Sequence, residues 1–374
     1  MRIALVVPGG VDRSGEYRVI PALVALIGRL SRAHDVHVFC LSQEPQPGEW
    51  TLAGAHIHNI GLKQARRRAI RSIRALHRAG PIDLVQAIFS GTCGLIAVVA
   101  ARTLGIPSLI HIAGGELVAL PEIGYGGRLS MRGRLREALV PRAASAITAA
   151  SAPIIEGAAR LGLRAQRIPL GADLNTWQPR QPVRRDPRQP ARLIHVASLN
   201  RVKDQATLLR ALASLDQGGV DFEMDIVGED TLQGEIQALA SQLNLSTRVR
   251  FRGFLTQRQL RPLVEAADLM VISSRHEAGP LVMLEAAAAG VPTVGTAVGH
   301  VAEWAPAAAV AVPVGDSAAL GAAIGQMLND EELRLRLARE ALKRAMLEDA
   351  DYTARCFQAL YRQLCGVRRH PRPA

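Results

Sequence analysis

The stretch SSRHEAGPLVMLEAAAAGVPTV, residues 273–294, sets two glutamates, Glu277 and Glu285, among mostly small and apolar residues. A carboxylate buried without a partner is costly, so each needs a donor or a cation. Asp268 to Ile272 reads as a buried strand, 273–279 as its exit loop, and 280–289 as a helix with Pro280 at its first position and Gly290 closing it. Glu277 then lies in a loop at a strand's carboxyl end, and Glu285 lies on the helix beside Leu284 and Ala286. The helix start at Gly279, Pro280, Leu281 and Val282 offers unpaired amides and a dipole, which together suit a phosphate. Gly279 allows that phosphate close approach. A ribose hydroxyl pair just beyond the phosphate is a natural donor to Glu285. The purely structural alternative pairs Glu285 with a core arginine and Glu277 with Arg275 or His276.

A second set of charges precedes this one. In VASLNRVKDQATLL, residues 196–209, Arg201 and Lys203 follow a strand end and precede a helix starting near Asp204. Two cations there could neutralise a diphosphate. A lone lysine would as readily be solvated, so the weight rests on the pairing with the Glu277 segment.

The elements that must hold these residues alternate along the chain. Short β-branched runs begin at Arg2, Val36, His56, Asp83, Ser108 and Ala146, with helical periods between them, and the pattern restarts at Arg192. Such alternation specifies α/β architecture, here two tandem Rossmann-like domains with parallel sheets. The Pro- and Arg-rich text QPRQPVRRDPRQPAR divides them as a linker. We expect an N-terminal domain over 1–178, a linker over 179–191, a second domain over 192–350, and a C-terminal helix from 351 crossing back to the first domain. The tail to residue 374 should be disordered. Ligands of open α/β sheets bind at strand carboxyl ends, so a cleft between the two domains is the expected place for chemistry.

Composition narrows the partners. The 374 residues are 48% hydrophobic and 21% charged, as in a soluble chain with a sizeable core. The apolar start stops at Pro8-Gly9-Gly10, too soon for a signal peptide or a membrane span, which points to the cytoplasm. Four cysteines without a C-x-x-C pair indicate neither structural zinc nor a disulfide framework. A net charge of +12 favours an anionic partner, but 3% aromatics and no nucleic-acid motif argue against DNA or RNA.

Glu277 and Glu285 form an E-x7-E pair, and EAGPLVMLEAAAAGVPTV resembles the corresponding segment of the retaining glycosyltransferases of family four, which have the two-Rossmann GT-B fold. Other segments agree in order over nearly the whole chain: PGG at 8–10, IPLGAD at 168–173, VASLNRVKDQATLL, the Val227-Gly228 pair, FRGFL at 251–255 and VPVGD at 312–316. The resemblance implies transfer of a sugar from a nucleotide-diphosphate sugar to an acceptor hydroxyl, with no cofactor and no metal. It implies that Glu285 holds the ribose, Gly279 to Val282 and Lys203 the diphosphate, and Glu277 the donor sugar. Gly10 would approach the phosphates and acceptor from the first domain, and Phe254 and Leu255 would lie near the base. Two departures stand out. Ser198 occupies the place where the family often has an arginine, which Arg201 could replace. The family's His-Gly segment reads Ala113-Gly114-Gly115-Glu116, leaving His111, two residues earlier on the same strand face, as a weak substitute.

Departure of the diphosphate builds negative charge, so the site needs fixed cations and amides there. The family's usual proposal has the leaving phosphate deprotonate the acceptor on the same face, giving retention. The only D-x-D, Asp349-Ala-Asp351, falls near the C-terminal helix and away from any strand end. The acceptor would be a sugar or a lipid-linked sugar, in polysaccharide, lipopolysaccharide or glycolipid synthesis. Rival readings are a nucleotide-sugar epimerase of the same fold, an inactive sugar-nucleotide-binding relative, a two-glutamate hydrolase and a nicotinamide enzyme. The nicotinamide reading lacks a G-x-G-x-x-G after a strand. Eight helical residues span about 12 Å, more than a hydrolase pair needs. Finally, GLKQARRRAIRSIRALHRAG sets Ala69, Ile70, Ile73 and Leu76 against a face of Arg66, Arg67, Arg71, Arg74 and Arg78. That helix either lies on an anionic membrane or shows a solvated basic face, and its narrow apolar stripe favours the second.

Overall fold

The computed structural model describes residues 1–366, so the tail expected to be disordered lies largely outside the described residues. The chain begins with β1 (Arg2–Val7), α1 (Pro21–Ser31), β2 (Asp35–Cys40), β3 (Gly48–Leu52), β4 (Ala55–Asn59), α2 (Ala65–Ala79), β5 (Leu84–Ile88), α3 (Gly91–Leu104) and β6 (Ser108–Ile112). It continues through α4 (Met131–Arg142), β7 (Ala146–Ala149), α5 (Ala152–Arg160) and β8 (Gln166–Arg167). Next come β9 (Ala191–Val196), α6 (Gln205–Gln217), β10 (Phe222–Val227), α7 (Glu235–Gln242), β11 (Val249–Gly253), α8 (Gln257–Glu265) and β12 (Leu269–Ile272). The last run is α9 (Leu281–Ala288), β13 (Thr293–Thr296), α10 (Gly299–Trp304), β14 (Val310–Val312), α11 (Ser317–Asn329), α12 (Glu331–Leu347) and α13 (Ala350–Gly366).

These elements form two compact units, one of residues 1–171 with the described residues from 350 onward and one of residues 172–349. The first unit holds an eight-stranded sheet in the order β3-β4-β2-β1-β5-β6-β7-β8. It is parallel throughout except for β3, which pairs antiparallel to β4. The hairpin turns on Ala53 and Gly54, both at positive φ (49° and 83°). An alanine in that conformation gives no turn signal in the sequence, so the β3 strand escapes a reading of periodicity. The second unit holds a six-stranded sheet, β11-β10-β9-β12-β13-β14, in which every pairing is parallel. Its strands are buried apolar runs such as LMVI in β12, as sheets covered on both faces require.

Strand order reverses between β1 and β5 in the first unit and between β9 and β12 in the second, and each reversal opens a crevice at the strands' carboxyl ends. The segment 172–191, expected to fall in the first domain and a linker, is fastened to the second unit instead. Arg180 N–H donates to the Ala288 carbonyl at 2.9 Å, and the buried guanidinium of Arg334 donates to the Val183 carbonyl at 2.6 Å. Arg334 also pairs with Glu331 at 2.7 Å, so its charge is compensated where it is buried. α13 belongs to the first unit and packs on α1, with Phe357 and Tyr361 fully buried in that unit's core. Asp351, the second aspartate of the D-x-D, pairs with Arg29 at 2.9 Å there.

Among the described residues no helix is long and apolar enough to cross a membrane. Among the described residues no disulfide joins the four cysteines, and burial pushes the Cys93 thiol up to about 12.

Candidate functional site

The loops after β9 and β12 meet at the reversal point of the second unit. Arg275 N–H donates to the Val202 carbonyl at 2.7 Å, and Ser273 Oγ donates to the Lys203 carbonyl at 2.8 Å. An ion pair between Arg275 Nε and Asp204 Oδ2 at 3.1 Å adds a third clamp. Asp204 itself takes a left-handed conformation, φ 49°, and caps α6 by accepting from Thr207 N–H. The loops so held bring Lys203 Nζ to 2.5 Å from Glu277 Oε1, which also accepts from Ser274 Oγ at 2.7 Å. Lys203 and Glu277 are thus partners across 74 residues of sequence, and both remain partly open to solvent.

A cavity of about 150 Å³ lies beside this pair, lined by His195, Lys203, Ser274, Glu277 and the Gly279 to Val282 segment. α9 begins at Leu281, so Pro280 is its N-cap rather than its first helical residue. Met283 N–H donates back to the Pro280 carbonyl at 3.1 Å, while the Leu281 and Val282 amides lie at the helix start, where no preceding turn supplies acceptors, and the positive end of the helix sits at the cavity. His195 is buried: Nδ1–H donates to the Val271 carbonyl at 2.9 Å, and Nε2 faces the Gln205 amide at 3.2 Å. Burial holds its pKa down to about 4, so the ring is neutral. Gln205 also donates to the Ser198 carbonyl at 3.1 Å, anchoring the loop that carries Lys203. Gly228 packs so tightly on this loop that a Cβ there would stand 2.0 Å from the Ala197 carbonyl oxygen. Gly228 belongs to the Val227-Gly228 pair that the resemblance picked out, whereas His195, a polar residue in an apolar run, and Gln205, in a polar stretch, show no signal of these roles in the sequence.

Glu285 lies one turn further along α9 and is 3% exposed. Gln257 Nε2 donates to its Oε1 at 3.2 Å, and Gln257 in turn accepts from the Trp177 indole N–H at 2.8 Å. Among the described residues no arginine or lysine pairs with Glu285, so the structural alternative of a core arginine is not what the fold provides. Burial raises its pKa to about 7, with the Gln257 and Trp177 hydrogen bonds pulling the other way.

Other expected residues fall elsewhere. Arg201 is turned away from the cavity and pairs with Glu235 at the start of α7, 2.9 Å apart and well exposed. Ser198 is exposed, with its carbonyl committed to Gln205. Phe254 is 51% exposed, and Leu255 is half-buried against the core around α9.

In the first unit, Gly10 sits at the carboxyl end of β1 with φ 85°, where a Cβ would meet Ile20 at 2.5 Å. Its N–H donates to Gln43 Oε1 at 2.8 Å, so the glycine is required by the loop itself. His111 corrects the expectation that it could touch a sugar. Its ring is fully buried, shares a hydrogen bond between Nδ1 and Thr148 Oγ1 at 2.9 Å, and meets Phe357 of α13 edge-on. Burial lowers its pKa to about 3. The Ala113 to Glu116 loop after β6 is shaped by Glu116, whose carboxylate accepts from the N–H groups of Ser90, Ala113 and Gly114 at 3.0, 3.3 and 2.7 Å.

With this geometry in view, comparison with known proteins places the chain. The family model "Glycosyl transferase 4-like domain" matches residues 19–171, and "Glycosyl transferases group 1" matches residues 180–344. The chain belongs to this glycosyltransferase family. It is 32% identical over 180 residues to D-inositol 3-phosphate glycosyltransferase of Corynebacterium urealyticum, covering 45% of this chain and 42% of that protein. It is also 32% identical over 151 residues to N-acetyl-alpha-D-glucosaminyl L-malate synthase of Bacillus anthracis, covering 40% and 39%. The aligned parts span 34 to 60% of the length of the curated relatives it matches. Sucrose-phosphate synthase from Thermosynechococcus elongatus superposes with a TM-score of 0.82 at 19% identity, covering 98% of this chain and 100% of that one. Anabaena HepE in complex with UDP-glucose gives 0.76 at 19% identity, covering 97% and 100%. The fold is that of the GT-B glycosyltransferases.

Proposed function

We propose that the protein is a retaining, metal-independent glycosyltransferase that moves a sugar from a nucleotide-diphosphate sugar to an acceptor hydroxyl. The observation that carries this reading is the Lys203–Glu277 pair beside the start of α9, at the strand-order reversal of the second unit. The HepE structures with UDP and UDP-glucose, in the same fold, support a nucleotide-sugar donor.

The cavity suits a diphosphate leaving group. Lys203 supplies a fixed cation and the α9 amides supply oriented donors, both strongest where charge develops as the anomeric bond breaks. The diphosphate draws Lys203 away from Glu277, which leaves that carboxylate to accept from sugar hydroxyls. Glu285, further along the same helix, meets the ribose hydroxyls and gains donors beyond those that Gln257 and Trp177 supply in the free protein. The leaving phosphate takes the acceptor proton on the face it departs from, so configuration is retained without a protein nucleophile. Phe254 and Leu255 border the base. The acceptor is a sugar or lipid-linked sugar of polysaccharide, lipopolysaccharide or glycolipid synthesis, and the enzyme works in the cytoplasm at the inner face of the membrane.

A thermal-shift screen against nucleoside diphosphates and their sugars tests the reading, since a ligand at 100 times its Kd adds about 2.7 kcal/mol of stability. A panel that shifts nothing would refute it.

A further inference from the structure

The helices covering one face of the first unit carry a surface that the transfer chemistry does not use. α4 turns Gly133, Glu137, Val140 and Pro141 inward. It leaves Met131, Leu135 and Leu139 outward, 76%, 61% and 57% exposed. Their spacing of four stacks them on one side of the helix. Exposed arginines border the ridge, namely Arg132, Arg134 and Arg142, with the half-buried Arg128 just ahead of the helix. A single exposed leucine is ordinary, but an aligned apolar ridge in a fold that buries most of its large apolar side chains marks a contact face.

α3 packs between α2 and α4, so α2 belongs to the same layer. α2 carries six arginines and no acid, and its Ala69 and Ile73 are fully buried in the core. The apolar stripe read from the α2 sequence is therefore spent on the fold, and what α2 shows outward is charge. α2, α3 and α4 each follow a parallel strand, so their N-terminal ends share one end of the sheet. Leu62, 64% exposed just ahead of α2, lies toward the same end as Met131.

An apolar ridge flanked by cations, with the one acid of α4, Glu137, buried and paired with Arg136, is a poor match for a second copy of this chain. A symmetric contact would set like charges against each other. The pattern matches a lipid surface with anionic headgroups, taking the apolar side chains into the acyl boundary and the guanidinium groups onto phosphates. We propose that α4 is the element by which the first unit docks on an anionic bilayer, with α2 as its basic flank. The purpose of the contact, access to a lipid-borne acceptor, rests on the transferase reading, whereas the surface itself does not.

The test is co-sedimentation of the full chain with vesicles of phosphatidylcholine alone and of phosphatidylcholine mixed with phosphatidylglycerol. Binding is expected to the mixed vesicles and to weaken with salt. Leu135→Asp with Leu139→Asp should lower partitioning by about tenfold or more per leucine. Arg71→Ser and Arg74→Ser should each cost about fivefold. All four side chains are exposed, so the unfolding midpoint should stay put, and hydrogen exchange of the unsubstituted protein should slow across 128–142 when mixed vesicles are added. Absence of binding to mixed vesicles, or undiminished binding of the double leucine variant, overturns the proposal. A dimer dissolved by the same double substitution, with no vesicle binding, would give the face to a second copy and equally overturns it. Vesicle binding without any nucleotide-induced thermal shift supports the docking face and counts against the transferase reading alone.

Discussion

Nucleotide-sugar affinity should depend on pH through Glu285, and the size of the effect follows from the site. In the free protein burial holds this carboxyl at about 7. Ribose hydroxyls donating to the carboxylate favour its charged form and draw the bound-state pKa back toward the ordinary value of about 4.3. Binding therefore expels a proton, and affinity is retained above the free-state pKa and lost as pH falls through it. The dissociation constant should rise about tenfold from pH 8 to pH 6, or about 1.4 kcal/mol, with close to half a proton released per site at pH 7. Isothermal titration calorimetry in buffers of different ionisation enthalpy reads the proton count directly. The ligand is whichever nucleotide-diphosphate sugar gives the largest thermal shift, because its phosphate diesters do not titrate in this range. Glu285→Gln should bind more weakly and flatten the pH dependence. Wild-type binding with no proton release and no slope would refute the assignment of Glu285 to the ribose. Folding carries a matching signature: a carboxyl raised on folding contributes stability that is present below the unfolded pKa and lost as pH rises toward 7. That contribution amounts to about 4 kcal/mol and should vanish in Glu285→Gln.

Lys203→Ala should raise the barrier to transfer by about 2 to 4 kcal/mol, read as kcat under saturating donor. Near-wild-type turnover would remove Lys203 from the mechanism. Glu277→Gln should chiefly slow transfer and leave nucleotide diphosphate affinity nearly intact, so equal losses of affinity in the Glu277 and Glu285 variants would contradict their division of roles. Phe357→Ala should cost about 3 to 5 kcal/mol in denaturant unfolding, because the ring is fully buried where α13 joins the first unit. Gly228→Ala should lower stability and turnover together, since the added methyl displaces the loop that presents Lys203, and a variant unfolding like wild type would show that the loop has room.

Much of the architecture could be read from the chain because β-branched runs alternate so regularly with helical periods. The partnership of Lys203 and Glu277 was open to view only in part. Each falls at a strand end by local pattern, but β9 and β12 are neighbours through a crossover that skips two intervening strands. Local periodicity carries no such information, and the family resemblance supplied it. Glu285 was legible as a buried acid, whereas its partner Gln257 lies 28 residues earlier and looks like any exposed glutamine of a helix start. Arg201 has the right charge at the right strand end, yet an acidic neighbour on α7 captures it. Residues 179–191 have the composition of a linker, and contacts remote in sequence fix their backbone in place: Ala288 accepts from Arg180 N–H, Glu331 from Arg185 N–H, and the buried Arg334 donates to the Val183 carbonyl. Met131, Leu135 and Leu139 pose the reverse problem: their spacing is that of a core stripe, and only burial separates a ridge that is covered from one that is not.

The return of α13 to the first unit also sets an order of assembly. The second unit is one continuous segment, 172–349, whereas the first waits for the last helix before its core around Phe357 can close. At a synthesis rate of about 5 to 20 residues per second, roughly 10 to 40 s pass between the last strand of the first sheet and the arrival of α13. Throughout that interval the seat for Phe357 and Tyr361 is an uncovered apolar groove on a nascent chain. The younger unit should therefore be the first to mature, and the older one is the natural client for a chaperone.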